Sequence, residues 1–268
     1  MLSNWTLAGL VLVGVLACLE LGYRIGGQDI QRGGSLNSRG ASAIEGAVFA
    51  LLGLLLAFSF SGAAARFEAR RHLIATEVNA ISTAWLRLDL LPVDARPQLR
   101  SLFRDYTELR ATFFSGPLDE STVAIRQQSM TEFQYEIWRG VMDAVGASNA
   151  PSPAPILLIP ALNSMFDIAT TRLLATANHP PPIISTLLIG MSFLAAILAG
   201  YGMASNPSRH RFHRTIFGVV MTLTIVVIAD LEYPRRGFIR IDAADTALQE
   251  LAHLFRADAP ARLESPPR

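Results

Sequence analysis

Lysine is absent from this chain of 268 residues, and all 23 of its basic residues are arginine. A GC-rich coding bias accounts for this most simply. The other reading is a use for planar guanidinium groups in bidentate pairing with carboxylates or anions. Cysteine is nearly absent too. Cys18 is alone, inside an apolar run, which excludes an intramolecular disulfide and a thiolate metal site and leaves a small hydrophobe. An excess of charge is missing: the net value is +1, which points away from nucleic-acid binding and from a strongly acidic function. There is no glycine-rich phosphate loop and no serine–histidine–acid arrangement. His72, His179, His210, His213 and His253 are scattered without metal-ligand spacing, and His210 and His213 stand beside arginines that would repel a cation. These histidines read as structural or solvated. No catalytic residue, metal site or cofactor is indicated, and an enzyme is not expected.

What the chain does have is apolar sequence. It is 51% hydrophobic, with a mean hydropathy of +0.34. Four runs stand out: Trp5–Gly22, Ala43–Ala65, Ile183–Ala204 and Thr215–Ala229. The first lacks the basic start and the small-residue cleavage site of a signal peptide. The first three are about long enough to cross a ~30 Å hydrocarbon core at about 1.5 Å per residue. The fourth reaches that length if extended from Phe212 to Tyr233. Backbone groups in lipid must be satisfied within the segment, so all four are expected to be helices. The lipid bilayer is then the first partner, and four spans place the N-terminus, the segment between the second and third spans, and the C-terminus on one side. Six arginines lie near the span ends on each side, so charge does not set the orientation; the uncharged start favours an outer-face domain.

Residues 66–180 interleave arginines and carboxylates with apolar residues at helical spacing. Phe67, Ile74, Val78, Ile81, Trp85 and Leu88 recur in steps of three and four. No Gly or Pro intervenes between Gly62 and Pro92, so the spacing predicts one unbroken helix from about Ser42 to Leu91 that leaves the membrane and continues into water. Leu99 to Phe113 form a second helix, Asp119–Val145 a third, and the stretch through Leu158, Leu162, Phe166 and Leu173 a fourth. Gly146–Pro155 is a loop, and Pro180–Pro182 a hinge. Ala243–Phe255 form a short amphipathic helix before a polar tail. No alternating strand pattern occurs. The fold class is therefore all-α: spans one and two in residues 1–65, an inserted helical soluble domain in 66–180, spans three and four in 183–233, and a C-terminal segment in 234–268.

Two constellations carry functional expectations. On the second span, one helical face bears Glu45, Leu52, Leu56, Ser59, Ala63, Arg66 and Arg70, and the other bears Gly46, Ala50, Gly53, Ala57 and Ala64. The second set reads as a small-residue seam for packing within the chain. The first, with a carboxylate at one end, arginines at the other and an apolar middle, has the pattern of a pore-lining helix; Leu52 and Leu56 would stack as two apolar rings. Its plainer reading is a carboxylate near a helix start and snorkelling arginines. At the exits of spans two and four, Arg66, Glu68, Arg70, Asp230, Glu232, Arg235 and Arg236 are expected to form a surface ion-pair cluster, with attraction of ions or lipid headgroups as the alternative use.

Glu45-Gly-Ala, Phe58-Ser-Phe-Ser-Gly, Arg66-Phe-Glu-Ala-Arg-Arg, Glu77-Val-Asn-Ala-Ile and the segment Asp230 to Gly237 resemble the bacterial bestrophin-like membrane family. The resemblance runs from about Ile44 to Ile241. The layout is also similar to that of true bestrophins, and implies a pentameric homo-oligomer in a bacterial inner membrane, conducting inorganic ions, with the second span lining the pore and the inserted domain in the cytoplasm. Two departures accompany it. Bulky residues at every fourth position of the second span are interrupted at Gly53 and Ala57, with Leu52 and Leu56 restoring the pattern in part, and the acidic calcium clasp of the animal proteins has no counterpart. The expected function is an oligomeric ion channel or channel-like membrane protein. The alternative is a non-conducting scaffold or sensor that binds a partner through its soluble helices.

Overall fold

The computed structural model describes residues 4–32, 39–116, 119–147, 149, 151, 153–204, 210–234, 239 and 241–258. These residues form eight α-helices: α1 (Asn4–Gln31), α2 (Arg39–Arg87), α3 (Arg96–Thr112), α4 (Glu120–Val145), α5 (Ala154–Ala177), α6 (Pro182–Met203), α7 (His210–Glu232) and α8 (Asp242–Ala257). No strand occurs among the described residues. The fold is all-α, with four helices long and apolar enough to cross a membrane, α1, α2, α6 and α7, and a helical insertion between the second and third.

α2 is a single helix of 49 residues, about 70 Å at 1.5 Å per residue. It contains no proline, and its end is set by Pro92: Leu88–Leu90 tighten into a 3-10 turn before it. The chain then reverses, and Arg96 Nε donates to Leu91 O at 2.9 Å. α1 extends nine residues past the expected end of the first span at Gly22. The extension is polar, and Arg24 Nε donates to Glu20 one turn back at 2.8 Å.

The chain divides into two compact units. The first is Met1–Glu68 with Asn178–Arg240, and the second is Ala69–Ala177 with Ile241–Arg268. In the first, α1 and α6 touch backbone to backbone. A Cβ on Gly22 would stand 1.9 Å from Ile197 O, and one on Gly200 would stand 2.1 Å from Leu19 O, so only glycine fits at either place. Gly26 meets Tyr201 and Ala204 one turn further on. Residue numbers rise together along this contact, so α1 and α6 are parallel. They fall against each other for α1 and α7, where Gly218 meets Leu16 and Arg214 pairs with Glu20. The up-and-down order of four spans follows. Val11, Val15 and Leu19 of α1, Leu52 of α2, Ala195 and Ala196 of α6, and Met221 and Ile225 of α7 form the buried core.

The second unit holds the end of α2 with α3, α4, α5 and α8. α3 and α4 form an antiparallel hairpin. Arg126 Nη1 donates to Phe113 O at 2.5 Å, Arg110 faces Met130, and Leu99 faces Gly140. In that register Tyr106 stands opposite Gln134. Gly116, at φ +76°, makes the turn that L side chains disfavour. Asp119 caps α4 by accepting from the Thr122 amide at 3.2 Å. Hydrogen bonds from Ser121 and Thr122 hold its carboxyl well below the usual range. The C-terminal helix α8 belongs to this unit rather than standing apart: Phe255 stacks on Trp85 of α2 at 4.0 Å.

Candidate functional site

The two faces of the second span meet different surroundings. Leu52 is 3% exposed and sits in the core of its own chain. Leu56 and Phe49 pack against the same core. Ser59 is half-buried, its Oγ enclosed with no hydrogen-bond partner. Glu45 is half-buried and lies toward α6, where a Cβ on Gly202 would come within 3.9 Å of its Oε2. The face expected to line a pore is thus turned to the chain's own helices, with Leu52 in their core. The face expected to pack within the chain is uncovered: Gly46, Ala50, Gly53 and Ala57 are exposed, and no atom lies within 4 Å of a Cβ placed on Gly46 or Gly53. The close-packed small-residue seam of this chain lies elsewhere, between Gly22 and Gly26 of α1 and Gly200 of α6. A helical wheel finds small residues on both helices, but a seam closes only where the opposing helix is also small.

At the exit of α2, Arg66 meets the end of α7. Its Nη2 lies 2.7 Å and its Nε 2.9 Å from Glu232 Oε2. Glu232 is 6% exposed, and its other oxygen, Oε1, lies 2.9 Å from His179 Nδ1. The His179 ring leans on Tyr233 at 4.6 Å. One carboxylate therefore ties the end of α7 to α2 and to the segment leading into α6. Of the other residues expected in this cluster, Asp230 is buried and Glu68 is exposed. Arg70 is buried and donates from Nε to Ala175 O at 3.1 Å. Arg235 and Arg236 lie outside the described residues. His179, expected to be structural or solvated, has a structural place, beside Glu232 and just before the Pro180–Pro182 hinge.

A second constellation joins Glu77, which the sequence marks only as part of a motif, to partners that the sequence does not indicate. Glu77 of α2, fully buried, accepts from Arg110 of α3 through Oε1 and from Arg172 of α5 at 2.7 Å through Oε2. Arg172 also donates to Asp245 of α8 at 2.6 Å. Four helices are joined by two guanidinium groups and two carboxylates, a neutral set, which is the condition for burying ions. Burial works against the Arg110 charge, but Glu77 beside it, with Tyr106 and Asp245, outweighs that and holds the guanidinium above its ordinary range. Burial pushes the Tyr106 phenol up to about 12, Arg110 opposing and Glu77 reinforcing the shift. The sequence signal was Glu77 itself, a carboxylate on the stripe of Ile74 and Ile81 that faces the core. Among the described residues no three histidine, cysteine or acidic side chains converge as a metal site.

Four apolar helices with a glycine-packed crossing, a helical insertion and one helix running on into it define a multi-pass membrane protein of channel-like architecture. The chain belongs to the bestrophin-like family: the family model described as a Bestrophin-like domain matches residues 41–246. It is similar in structure to variants of a bacterial bestrophin homologue from Klebsiella pneumoniae. One aligns at TM-score 0.73 and 16% identity over 96% of this chain and 100% of the other. A second aligns at TM-score 0.72 and 15% identity over 93% and 98%. The homologue phased with zinc aligns at TM-score 0.71 and 16% identity over 94% and 99%. At such identity the likeness is one of fold. No curated protein matches the chain.

Proposed function

We propose that this chain is one subunit of an oligomeric ion channel, five copies by family resemblance, in a bacterial inner membrane, and that α2 faces the central axis with the side its own chain leaves bare. The observation that carries this is the unequal cover of the spans. In the most apolar stretch of α2 only 6% is buried, against 22%, 28% and 39% in the other three spans. The bare stripe runs Ala43, Ala47, Ala50, Leu54, Ala57, Ser61, Ala65, Glu68, with Phe58 beside it, and all of these are exposed. Small residues let copies of a helix approach one another around an axis. Leu54 and Phe58, 52% and 68% exposed and one turn apart, rather than Leu52 and Leu56, form the apolar rings that exclude water. Glu68 closes the stripe with a carboxylate, a ring of which attracts cations.

Ion flux from liposomes carrying the purified protein tests this. Leu54→Ser or Phe58→Ser is expected to raise flux by wetting the constriction, and Glu68→Gln to reduce cation preference. Leu52→Ser and Leu56→Ser act on the core and are expected to lower stability by about 1–3 kcal/mol without raising flux per folded oligomer. A particle of one or two chains, with permeation of chloride, sodium and potassium unmoved by any stripe variant, would replace the channel with a membrane scaffold or sensor.

A further inference from the structure

Within the helical unit, three enclosed polar atoms find no hydrogen-bond partner among the described residues: Tyr106 Oη, Arg110 Nη2 and Gln134 Nε2. Tyr106 and Arg110 are buried whole, and Gln134 is half-buried with its amide nitrogen enclosed. The three belong to one place in the α3–α4 hairpin. Tyr106 and Arg110 stand one turn apart on α3, and Met130 and Gln134 one turn apart on α4. Arg110 Nη1 meets Met130 Sδ at 3.3 Å, and the antiparallel course of the helices sets Tyr106 opposite Gln134. The Gln134 amide lies near enough to act on the Tyr106 phenol, and Arg110 acts on the same phenol from its own helix. Amide and phenol nonetheless do not meet in hydrogen-bond geometry.

Arg110 spends its other nitrogens on Glu77 and Met130, so Nη2 is left with hydrogens to give. The Phe113 ring, 5.0 Å from the guanidinium carbon, is a weak acceptor. Buried donors of this kind are rarely left unmet in a folded protein. A group that satisfies all three must be small, accept from a guanidinium and an amide, and share a hydrogen bond with a phenol hydroxyl. Water does this, and a buried water commonly makes about three such bonds to groups without other partners. A halide would accept from the same donors. Glu77 and Asp245 already balance Arg110 and Arg172, however, and an added anion would carry an uncompensated charge into the interior.

We propose that one internal water is bound between α3 and α4, held by Tyr106 Oη, Arg110 Nη2 and Gln134 Nε2. The site gives α4 a polar link to the Glu77 network. That network joins α2, α3, α5 and α8, and among the described contacts α4 reaches it through the Met130 sulfur. It also gives a reason for tyrosine at 106, on the buried stripe of Leu99 and Phe103, where a hydroxyl is unfavourable without a polar partner. The site is independent of conduction and of where α2 faces.

Crystals of the full-length protein, grown with bromide in place of chloride and diffracting well enough to show ordered water, test this. One density peak is expected at about 2.7–3.2 Å from all three atoms, with no anomalous signal at the bromine edge. The double substitution Tyr106→Phe, Gln134→Leu leaves one of the three polar partners and is expected to lose the peak. Tyr106→Phe alone, which keeps the ring and removes the hydroxyl, is expected to lower its occupancy, and serves if the double variant does not fold. A wild-type map with no peak, the Gln134 amide turned so that its oxygen accepts directly from Tyr106, overturns the proposal. An anomalous signal at the peak overturns the water and makes the site one for an anion. A peak of undiminished occupancy in the variants shows that Tyr106 and Gln134 do not hold it, and overturns the proposal as well.

Discussion

Arg66 holds Glu232 through two nitrogens, Nη2 at 2.7 Å and Nε at 2.9 Å from the same carboxylate oxygen, across 166 residues of sequence. The Arg66 side chain is 28% exposed and that of Glu232 7%, so the pair is partly shielded from water and stronger than an exposed ion pair. A double-mutant cycle of Arg66→Met and Glu232→Gln, read by thermal unfolding in detergent, is expected to give a coupling of about 1–3 kcal/mol. Glu232→Gln alone is expected to cost more than Arg66→Met, because it leaves both Arg66 and His179 without their carboxylate. A coupling near zero would remove the pair as the tie between α2 and α7.

Glu77 accepts from two buried guanidinium groups, Arg110 and Arg172, and only Arg172 has a second hydrogen-bonded carboxylate, Asp245, among the described contacts. Glu77→Ala is expected to destabilise the helical unit by about 3–5 kcal/mol, the usual cost of stranding a buried charge. Asp245→Asn is expected to cost less, because Asp245 is 18% exposed and water can replace it. Chemical denaturation followed by circular dichroism ranks the two; equal losses would deny Glu77 its central place.

Tyr106 makes the same unit sensitive to alkali. Burial holds its phenol at about 12 when folded, against the ordinary phenol value of 10 when unfolded. Between those values the folded state keeps a proton that the unfolded state has lost, so stability is whole below pH 10 and falls as pH rises toward 12. The loss amounts to about 3 kcal/mol at most. Tyr106→Phe is expected to flatten that decline in the difference between variant and wild-type unfolding curves. Parallel curves for the two proteins from pH 9 to 12 would contradict the assignment.

Gly22 and Gly53 are both transmembrane glycines, and alanine should separate them. Gly22→Ala places a methyl 1.9 Å from Ile197 O and is expected to cost at least about 1–3 kcal/mol, or to prevent folding. Gly53→Ala meets nothing within 4 Å in its own chain and is expected to leave the unfolding midpoint of the dissociated chain unchanged or raise it slightly, since alanine favours the helix. The melting temperatures of the two variants decide it.

The helices were legible because their signals are local. An apolar run of span length, an uninterrupted 3.6-residue period from Ile44 to Leu88, and proline at 92 each act within a few turns. α2 therefore came out of the sequence as one continuous helix. The contacts were not legible, because they depend on partners far away. Glu77 lies 33 residues from Arg110 and 95 from Arg172, and nothing in the periodicity of α2 says which arginines converge on it. The same limit explains the second span. Its wheel divides correctly into two faces, but which face meets the chain and which is left bare depends on Val15, Ala195 and Met221, residues on three other helices.

The crossing of α1 and α6 also sets an order of events during synthesis. Gly22 on α1 and Gly200 on α6, the two glycines of this contact, are 178 positions apart. At about 5–20 residues per second, α1 is complete roughly 10–40 s before its partner helix exists. Through that interval the glycine face of α1 is without the backbone of α6 that packs on it in the finished protein. The membrane half of this protein is therefore finished late, when α6 emerges and closes a contact whose other side has been waiting since the beginning of the chain. A nascent chain halted before residue 182 would carry two inserted spans and a glycine face without the helix that fills it.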